Sequence, residues 1–191
     1  MIRKALLVAL LPFAACADAP AQDEAPTLPT ETEMPGPDEG VFPSMLRMSG
    51  EIVGGSGVVI GSLNILDGPN GLLLEATIDP GGLTPGWHGL HLHQVGDCSD
   101  IGTFRLSGGH VGKVQGGHGL LNPGGPEGGD LPNIWAAADG SAGYEAFTTL
   151  TSGADLADAD GAALIIHTAR DDHMTQPIGG AGARVACAVI G

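Results

Sequence analysis

The run Gly86-Trp87-His88-Gly89-Leu90-His91-Leu92-His93 sets two imidazoles two residues apart in a segment that reads as a strand. Successive strand side chains point to opposite faces, so His91 and His93 share one face while Leu90 and Leu92 take the other. Two neutral imidazoles on one face can grip a single metal ion. An isolated pair of this kind is as readily a surface accident as a site. This pair is not isolated. Gly108-Gly109-His110, Gly117-His118-Gly119, Gly129-Asp130-Leu131-Pro132 and Leu164-Ile165-Ile166-His167 follow it, and the chain ends Gly182-Ala183-Arg184-Val185-Ala186-Cys187-Ala188-Val189-Ile190-Gly191.

Those residues need a framework, and the composition favours strands. The chain has 33 glycines and 14 prolines in 191 residues and only 4% aromatic residues, which fits short strands joined by turns. No long helical period is visible. Candidate strands are Met45 to Ile52, Val58 to Leu66, Leu72 to Ile78, Gly86 to His93, Ile134 to Ala138, Tyr144 to Thr149, Ala163 to His167 and Arg184 to Val189. Asp67-Gly68-Pro69-Asn70-Gly71 and Asp139-Gly140 are turn signals between them. The even spacing predicts an all-β antiparallel sandwich or barrel. Two glycine-rich segments, Gly96 to Pro132 and Thr168 to Ala183, lack strand periodicity, and long loops in compact domains are usually functional.

In this order the segments resemble the copper,zinc superoxide dismutase family, which is marked by a Gly-x-His-Gly-x-His-x-His strand and a terminal Gly-x-Arg-x-x-Cys-x-x-Ile signature. The resemblance runs from about Gly57 to Gly191. It implies an eight-stranded antiparallel Greek-key β-barrel with two long functional loops, and conversion of superoxide to oxygen and hydrogen peroxide by a cycling copper ion. Carried across position by position, it implies copper ligation by His91, His93, His110 and His167. His110 would bridge copper to zinc and help supply protons when the bridge breaks. All-imidazole ligation suits Cu(II), and the same ligands tolerate Cu(I).

For zinc the resemblance implies His110, His118 and Asp130, with one departure: Glu127 stands three residues before Asp130, where the family has histidine. Zinc accepts carboxylate oxygen, so Glu127 either completes the set or points to solvent and leaves three ligands. Asp171 matches the family's aspartate that hydrogen-bonds the outer nitrogens of one copper and one zinc histidine, fixing their tautomers. His88 matches a structural histidine behind the copper, bonded to backbone, whereas His173 matches nothing essential and reads as a loop residue. Arg184 matches the arginine that attracts and orients superoxide. Cys98 and Cys187 match the family's disulfide, which would close a loop of roughly 90 residues and constrain the unfolded chain by about 4 to 5 kcal/mol.

The formal net charge is −15, and with Arg3 and Lys4 in a leader the remainder carries 5 basic against 22 acidic residues, a net −17. That argues against nucleic-acid binding, which needs a basic surface. It also means that an anionic substrate requires a local attraction against the overall field, the part that the resemblance gives to Arg184. Met1 to Phe13 is a basic start and an apolar run too short to span a bilayer, which predicts a signal peptide over residues 1–16. Phe13-Ala14-Ala15-Cys16 resembles a bacterial lipobox ending in a lipidated Cys16, with ordinary cleavage near Ala15 as the alternative. With Cys98 and Cys187 paired by the resemblance, Cys16 is the odd cysteine. Residues 17–40, rich in Ala, Pro, Asp, Glu and Thr, cannot bury an apolar face and predict a disordered tether before a domain at 41–191. The expectation is an enzyme of the periplasm or cell envelope, monomer or homodimer, touching the membrane only through its lipid. The rival is a copper-buffering protein on the same fold. Arg184 and Asp171 favour the enzyme, since copper storage needs neither.

Overall fold

The structure, a computed structural model, describes residues 45–191; the expected leader, the tether and Cys16 lie outside the described residues. Nine strands follow one another: β1 (Leu46–Gly54), β2 (Val59–Gly68), β3 (Gly71–Ile78), β4 (Gly86–His88), β5 (Leu90–His93), β6 (Ile134–Ala136), β7 (Ala142–Thr148), β8 (Ala162–His167) and β9 (Arg184–Ile190). One short helix, α1 (Gly153–Leu156), lies between β7 and β8 and is capped by Ser152 and Asp155. Seven strands form one sheet in the order β5-β8-β9-β1-β2-β3-β7, and β4 pairs with β6. All pairings are antiparallel. The last strand returns to lie beside the first, Val53 opposite Cys187, and the chain crosses over after β3, whose neighbour is β7, and again after β7, since β8 lies between β5 and β9. The tight turn from β6 to β7, closed by Ala137 N–H on Ser141 O at 2.8 Å, joins the β4–β6 pair to one edge of the large sheet. The passage from β4 to β5 joins it to the other edge, so the sheet curls on itself.

Alternation explains the core. Leu63 and Ile65 on β2 and Leu72, Leu74, Ala76 and Ile78 on β3 are buried, whereas Glu75 and Thr77 between them are exposed. Leu90, Leu92, Leu164, Ile166, Ala186 and Ala188 join the same cluster from β5, β8 and β9. β5 differs from an ordinary barrel strand because all four of its residues are buried. One face packs on the core, and long loops cover the other.

The eight expected strands are all present, with one correction. The Gly86-to-His93 run is not a single strand: β4 pairs with β6, β5 pairs with β8, and Gly89 stands between them. The reason is local. Gly89 N–H donates to Ala169 O at 2.8 Å, and its carbonyl accepts from His167 N–H at 2.9 Å, so its backbone is taken by the segment after β8. A Cβ at Gly89 would lie 2.7 Å from Ala181 Cβ and 3.3 Å from Asp171 Cβ, too close for any larger residue. The pairing changes there, and His91 comes to lie against Asp171 of the second long loop while His93 lies against the first.

Candidate metal centre

Two pieces of the first long loop behave as short strand extensions of β5. Leu92 N–H donates to Gly129 O, Val111 N–H to Leu92 O and Gln94 N–H to Gly109 O, each at 2.9 Å. The resulting bridges set His93 opposite His110 and His91 opposite Asp130. A side chain at Gly129 would run into the Leu92 carbonyl, so this approach requires glycine. His167 arrives from the end of β8, opposite Arg184 at the start of β9. Five histidines thereby meet: the His110 ring centroid lies 4.3 Å from that of His91, 5.1 Å from His93 and 5.2 Å from His118, and His91 lies 4.9 Å from His167.

Three of these rings are oriented by an outer nitrogen. His91 Nε2 donates to Asp171 Oδ2 at 2.7 Å, His93 Nδ1 to Gly108 O at 3.0 Å and His167 Nδ1 to Gly182 O at 3.0 Å. The opposite nitrogens, His91 Nδ1, His93 Nε2 and His167 Nε2, are buried without a hydrogen-bond partner, and so are both nitrogens of His110. An unpaired buried polar atom costs about 1–3 kcal/mol, so five of them in one place mark a site built to be completed by an ion. His91, His93 and His167 offer ligand atoms all within 4.8 Å of one another. An ion bonded to imidazole nitrogens at about 2 Å needs its donors within about 3 to 4 Å, so this group is near closure.

In a second group, His110, His118, Glu127 and Asp130, the ligand atoms also lie within 4.8 Å of one another. Glu127 does not face solvent: it is 2% exposed, and its Oε2 lies 2.7 Å from His110 Nδ1. Although these two atoms are close, their geometry is not that of a hydrogen bond, and neither has a hydrogen-bond partner. Asp130 Oδ1 lies 2.7 Å from His118 Nδ1 and 3.4 Å from His110 Nδ1, while its Oδ2 accepts the N–H groups of Gly119 at 2.7 Å and Glu127 at 2.8 Å. The donor chemistry of both groups fits the copper and zinc of the family that the sequence resembles, imidazole for the first and mixed imidazole and carboxylate for the second.

Asp171 links the groups. Besides His91, its Oδ1 stands 3.3 Å from His118 Nε2, so one buried carboxylate orients a ring in each set. Electrostatics separate the sets. Burial pushes the imidazoles of His91, His167 and His93 down to about 4, about 3 and about 2, so they are neutral and ready to ligate at neutral pH. At His118 burial also opposes the charge, but hydrogen bonds to Asp130 and Asp171 prevail and push it up to about 9. Without a metal, a proton on His118 balances the neighbouring carboxylates. Asp130 and Asp171 are themselves held well below the ordinary carboxylate range; burial opposes this, and the imidazoles beside them, His110 and His118 at Asp130 and His118 and His91 at Asp171, outweigh it.

Arg184 closes the site on the copper side. Its guanidinium donates to Phe104 O at 2.6 Å, Ser107 Oγ at 2.9 Å and Gly108 O at 2.7 Å, all in the first long loop. Gly108 O accepts from both Arg184 and His93 Nδ1, which places the guanidinium beside that ring. The loop is tied to β9 by the disulfide Cys98–Cys187, with Cα atoms 5.8 Å apart. His88 is buried behind His167, with Nδ1 2.7 Å from His167 O and Nε2 2.8 Å from Thr84 O, both backbone partners.

His173 does more than the sequence indicates. Its backbone N–H donates to Asp171 Oδ1 at 2.6 Å, and its Nε2 accepts from Asn133 Nδ2 at 3.0 Å. Asn133 brackets Asp171, donating to its carbonyl at 2.9 Å and accepting from its N–H at 2.8 Å. Gln176 clasps the His118 backbone, accepting from its N–H at 3.2 Å and donating to its carbonyl at 2.8 Å. Sequence reasoning missed Asn133 and Gln176. Neither belongs to a ligand pattern, and only the position of Asn133 three residues beyond Asp130 hints at a part in the site.

Comparison with known proteins agrees with this geometry. Residues 59–190 match the copper/zinc superoxide dismutase (SODC) family. The copper-zinc superoxide dismutase of Caulobacter vibrioides is 49% identical over 143 residues, 71% of this chain and 80% of that protein. A second such enzyme, from Aquifex aeolicus, is 36% identical over 78% of this chain and 89% of its own length. Among solved structures, a double mutant of a superoxide dismutase-like protein from Bacillus subtilis superposes with a TM-score of 0.67 at 34% identity, over 75% of this chain and 97% of that one. The Cu/Zn superoxide dismutase from Brucella abortus gives 0.63 at 27% identity, over 76% of this chain and 100% of that one. With the family matched across most of its length, and buried donor groups suited to both metals, this chain belongs to the copper/zinc superoxide dismutase family.

Proposed function

We propose that this chain converts superoxide to oxygen and hydrogen peroxide at copper held by His91, His93, His110 and His167, with zinc held by His110, His118, Asp130 and Glu127. The observation that supports this most is the convergence of partnerless buried nitrogens on His91, His93, His110 and His167, beside an arginine whose contacts are all neutral. Copper, when bound, supplies the one-electron chemistry, oxidising one superoxide to oxygen and reducing the next to peroxide. The chain's residues do the rest. Arg184 brings a fixed positive charge to the mouth of the site and orients the anion toward the imidazoles. His110, with both nitrogens free of protein partners, can take a proton at Nε2 and pass it to the reduced product. Asp171 and the carbonyls of Gly108 and Gly182 hold the ligating rings in one tautomer, so little reorganisation accompanies the change of charge.

A copper buffer on the same fold would need neither the Arg184 clamp nor the Asp171 link. Residues 1–40 carry the rest of the proposal: export by the leader, lipidation at Cys16 and an acidic tether in the cell envelope. His167→Ala tests the copper assignment. It removes a ligand but no large core side chain, so the variant should keep its fold by circular dichroism while losing bound copper and activity. Full activity without bound copper would refute it.

A further inference from the structure

The two donor groups differ in kind. His91, His93 and His167 offer imidazole alone, whereas the second group offers two imidazole nitrogens and two carboxylate oxygens. Glu127 is built into that group. Its Oε1 accepts the N–H of Val114 at 3.0 Å, which leaves Oε2 facing His110 Nδ1. Asp130 is treated alike, with Oδ2 held by two backbone N–H groups and Oδ1 turned inward. Each carboxylate thus presents one fixed oxygen. The site holds two carboxylates, is buried, and is harder than any set of three imidazoles and one carboxylate.

We infer that Glu127 sets the metal selectivity of the second site: this pocket accepts zinc and harder divalent ions such as Mn²⁺, and turns away Cu(I), so cuprous copper is confined to the His91, His93 and His167 group. Carboxylate oxygen suits hard divalent ions, zinc accepts both donor types, and a soft monovalent ion gains little from carboxylates. With histidine at 127, the second site would be mostly imidazole and would differ less from the first, making donor type a weaker sorting device. With Glu127 the two adjacent sites, which share His110, differ in both charge and softness. The inference rests on the reading that this group is the second metal site.

The test uses the full chain stripped of metal, with Glu127→His alongside wild type. Anaerobic Cu(I) titration against a chromogenic chelator should count one tightly held ion in wild type and a second in Glu127→His. Competition between Zn²⁺ and Mn²⁺, with copper loaded, should show the zinc preference rising by about tenfold or more in Glu127→His. Two Cu(I) ions in wild type, or equal Cu(I) counts and equal zinc preference in the two proteins, would overturn the inference. Should Glu127→His fail to fold, the wild-type Cu(I) count decides alone: one supports the inference, two overturn it. Zinc titration of copper-loaded wild type checks the underlying reading separately, and failure to bind zinc there sinks both.

Discussion

Replacing Asp171 with asparagine keeps the shape of the side chain and removes its charge, and it should weaken both metals at once. Asp171 is fully buried and accepts from His91 Nε2 at 2.7 Å and His118 Nε2 at 3.3 Å. An amide offers one carbonyl oxygen and one NH2 group, so at least one imidazole N–H must then face a donor. A hydrogen bond to a charged group contributes about 1.5–3 kcal/mol, and at about 1.4 kcal/mol per factor of ten that is a 10- to 100-fold loss of affinity. The shorter contact puts the larger loss at His91, hence at copper, and the longer one puts the smaller loss at zinc. Hydrogen bonds from His118 and His91, prevailing over burial, keep the Asp171 carboxyl ionised well into acid, so the difference should hold throughout the neutral range. Chelator competition for Cu²⁺ with zinc loaded, and for Zn²⁺ with copper loaded, measures each site separately. A loss confined to one metal, or none at either, would show that Asp171 does not couple the two sets.

Four further outcomes follow, three from the same geometry and one from the sequence around Cys16. Arg184→Glu should lower the bimolecular rate by about tenfold or more with copper content unchanged, and added salt should slow wild type but not the variant; parallel salt curves would place Arg184 off the substrate path. In chelator-treated protein, His91, His93 and His167 have folded values below the ordinary 6.5, so the unfolded chain binds more protons and stability should fall as pH drops below about 6.5, by up to about 1.4 kcal/mol per pH unit for each group. His118, raised to about 9, acts in the opposite sense: its contribution is full below 6.5 and is lost as pH rises toward 9, so denaturant melts that stay flat over that span would contradict its assignment. Cys16→Ser should abolish labelling by a radioactive fatty acid and release the protein in soluble form, whereas a mature N-terminus downstream of Cys16 would end the lipoprotein reading.

The candidate ligands were legible because their types and order are a pattern in the chain: the alternation of β5 puts His91 and His93 on one face, and the terminal signature marks Arg184 and Cys187. The orientation of Glu127 was not legible. Its fate depends on Val114 N–H, which captures one oxygen and turns the other inward, a contact between loop residues 13 apart with no periodicity to announce it. The change of pairing at Gly89 escaped for a similar reason. Its cause lies in Ala169, Asp171 and Ala181, which reach it only once the chain has folded. Asn133 and Gln176 act on the backbones of Asp171 and His118, and backbone contacts leave little trace in residue type.

A chain this acidic must still draw in an anion, and the role proposed for Arg184 rests on the manner in which it is held. The three acceptors on its guanidinium are two carbonyls and a hydroxyl, and among the described residues it has no carboxylate within ion-pair distance. Its orientation is therefore fixed without neutralising its charge. Asp100, the nearby acid whose field it feels, accepts from Thr103 Oγ1 at 2.6 Å and from the N–H groups of Arg105 and Leu106 at 2.7 and 3.3 Å. Those contacts hold the Asp100 carboxylate against its own loop, and Arg105 adds a second positive field at Arg184. Exposed acids farther away are screened within a Debye length of about 8 Å at physiological salt, so the local sign prevails at the mouth of the site. The disulfide matters to function on the same ground: Cys98–Cys187 ties to β9 the loop that supplies every acceptor on Arg184. Reducing it should loosen the guanidinium before it disturbs the imidazoles of His91 and His93, which stand on β5 in the barrel wall.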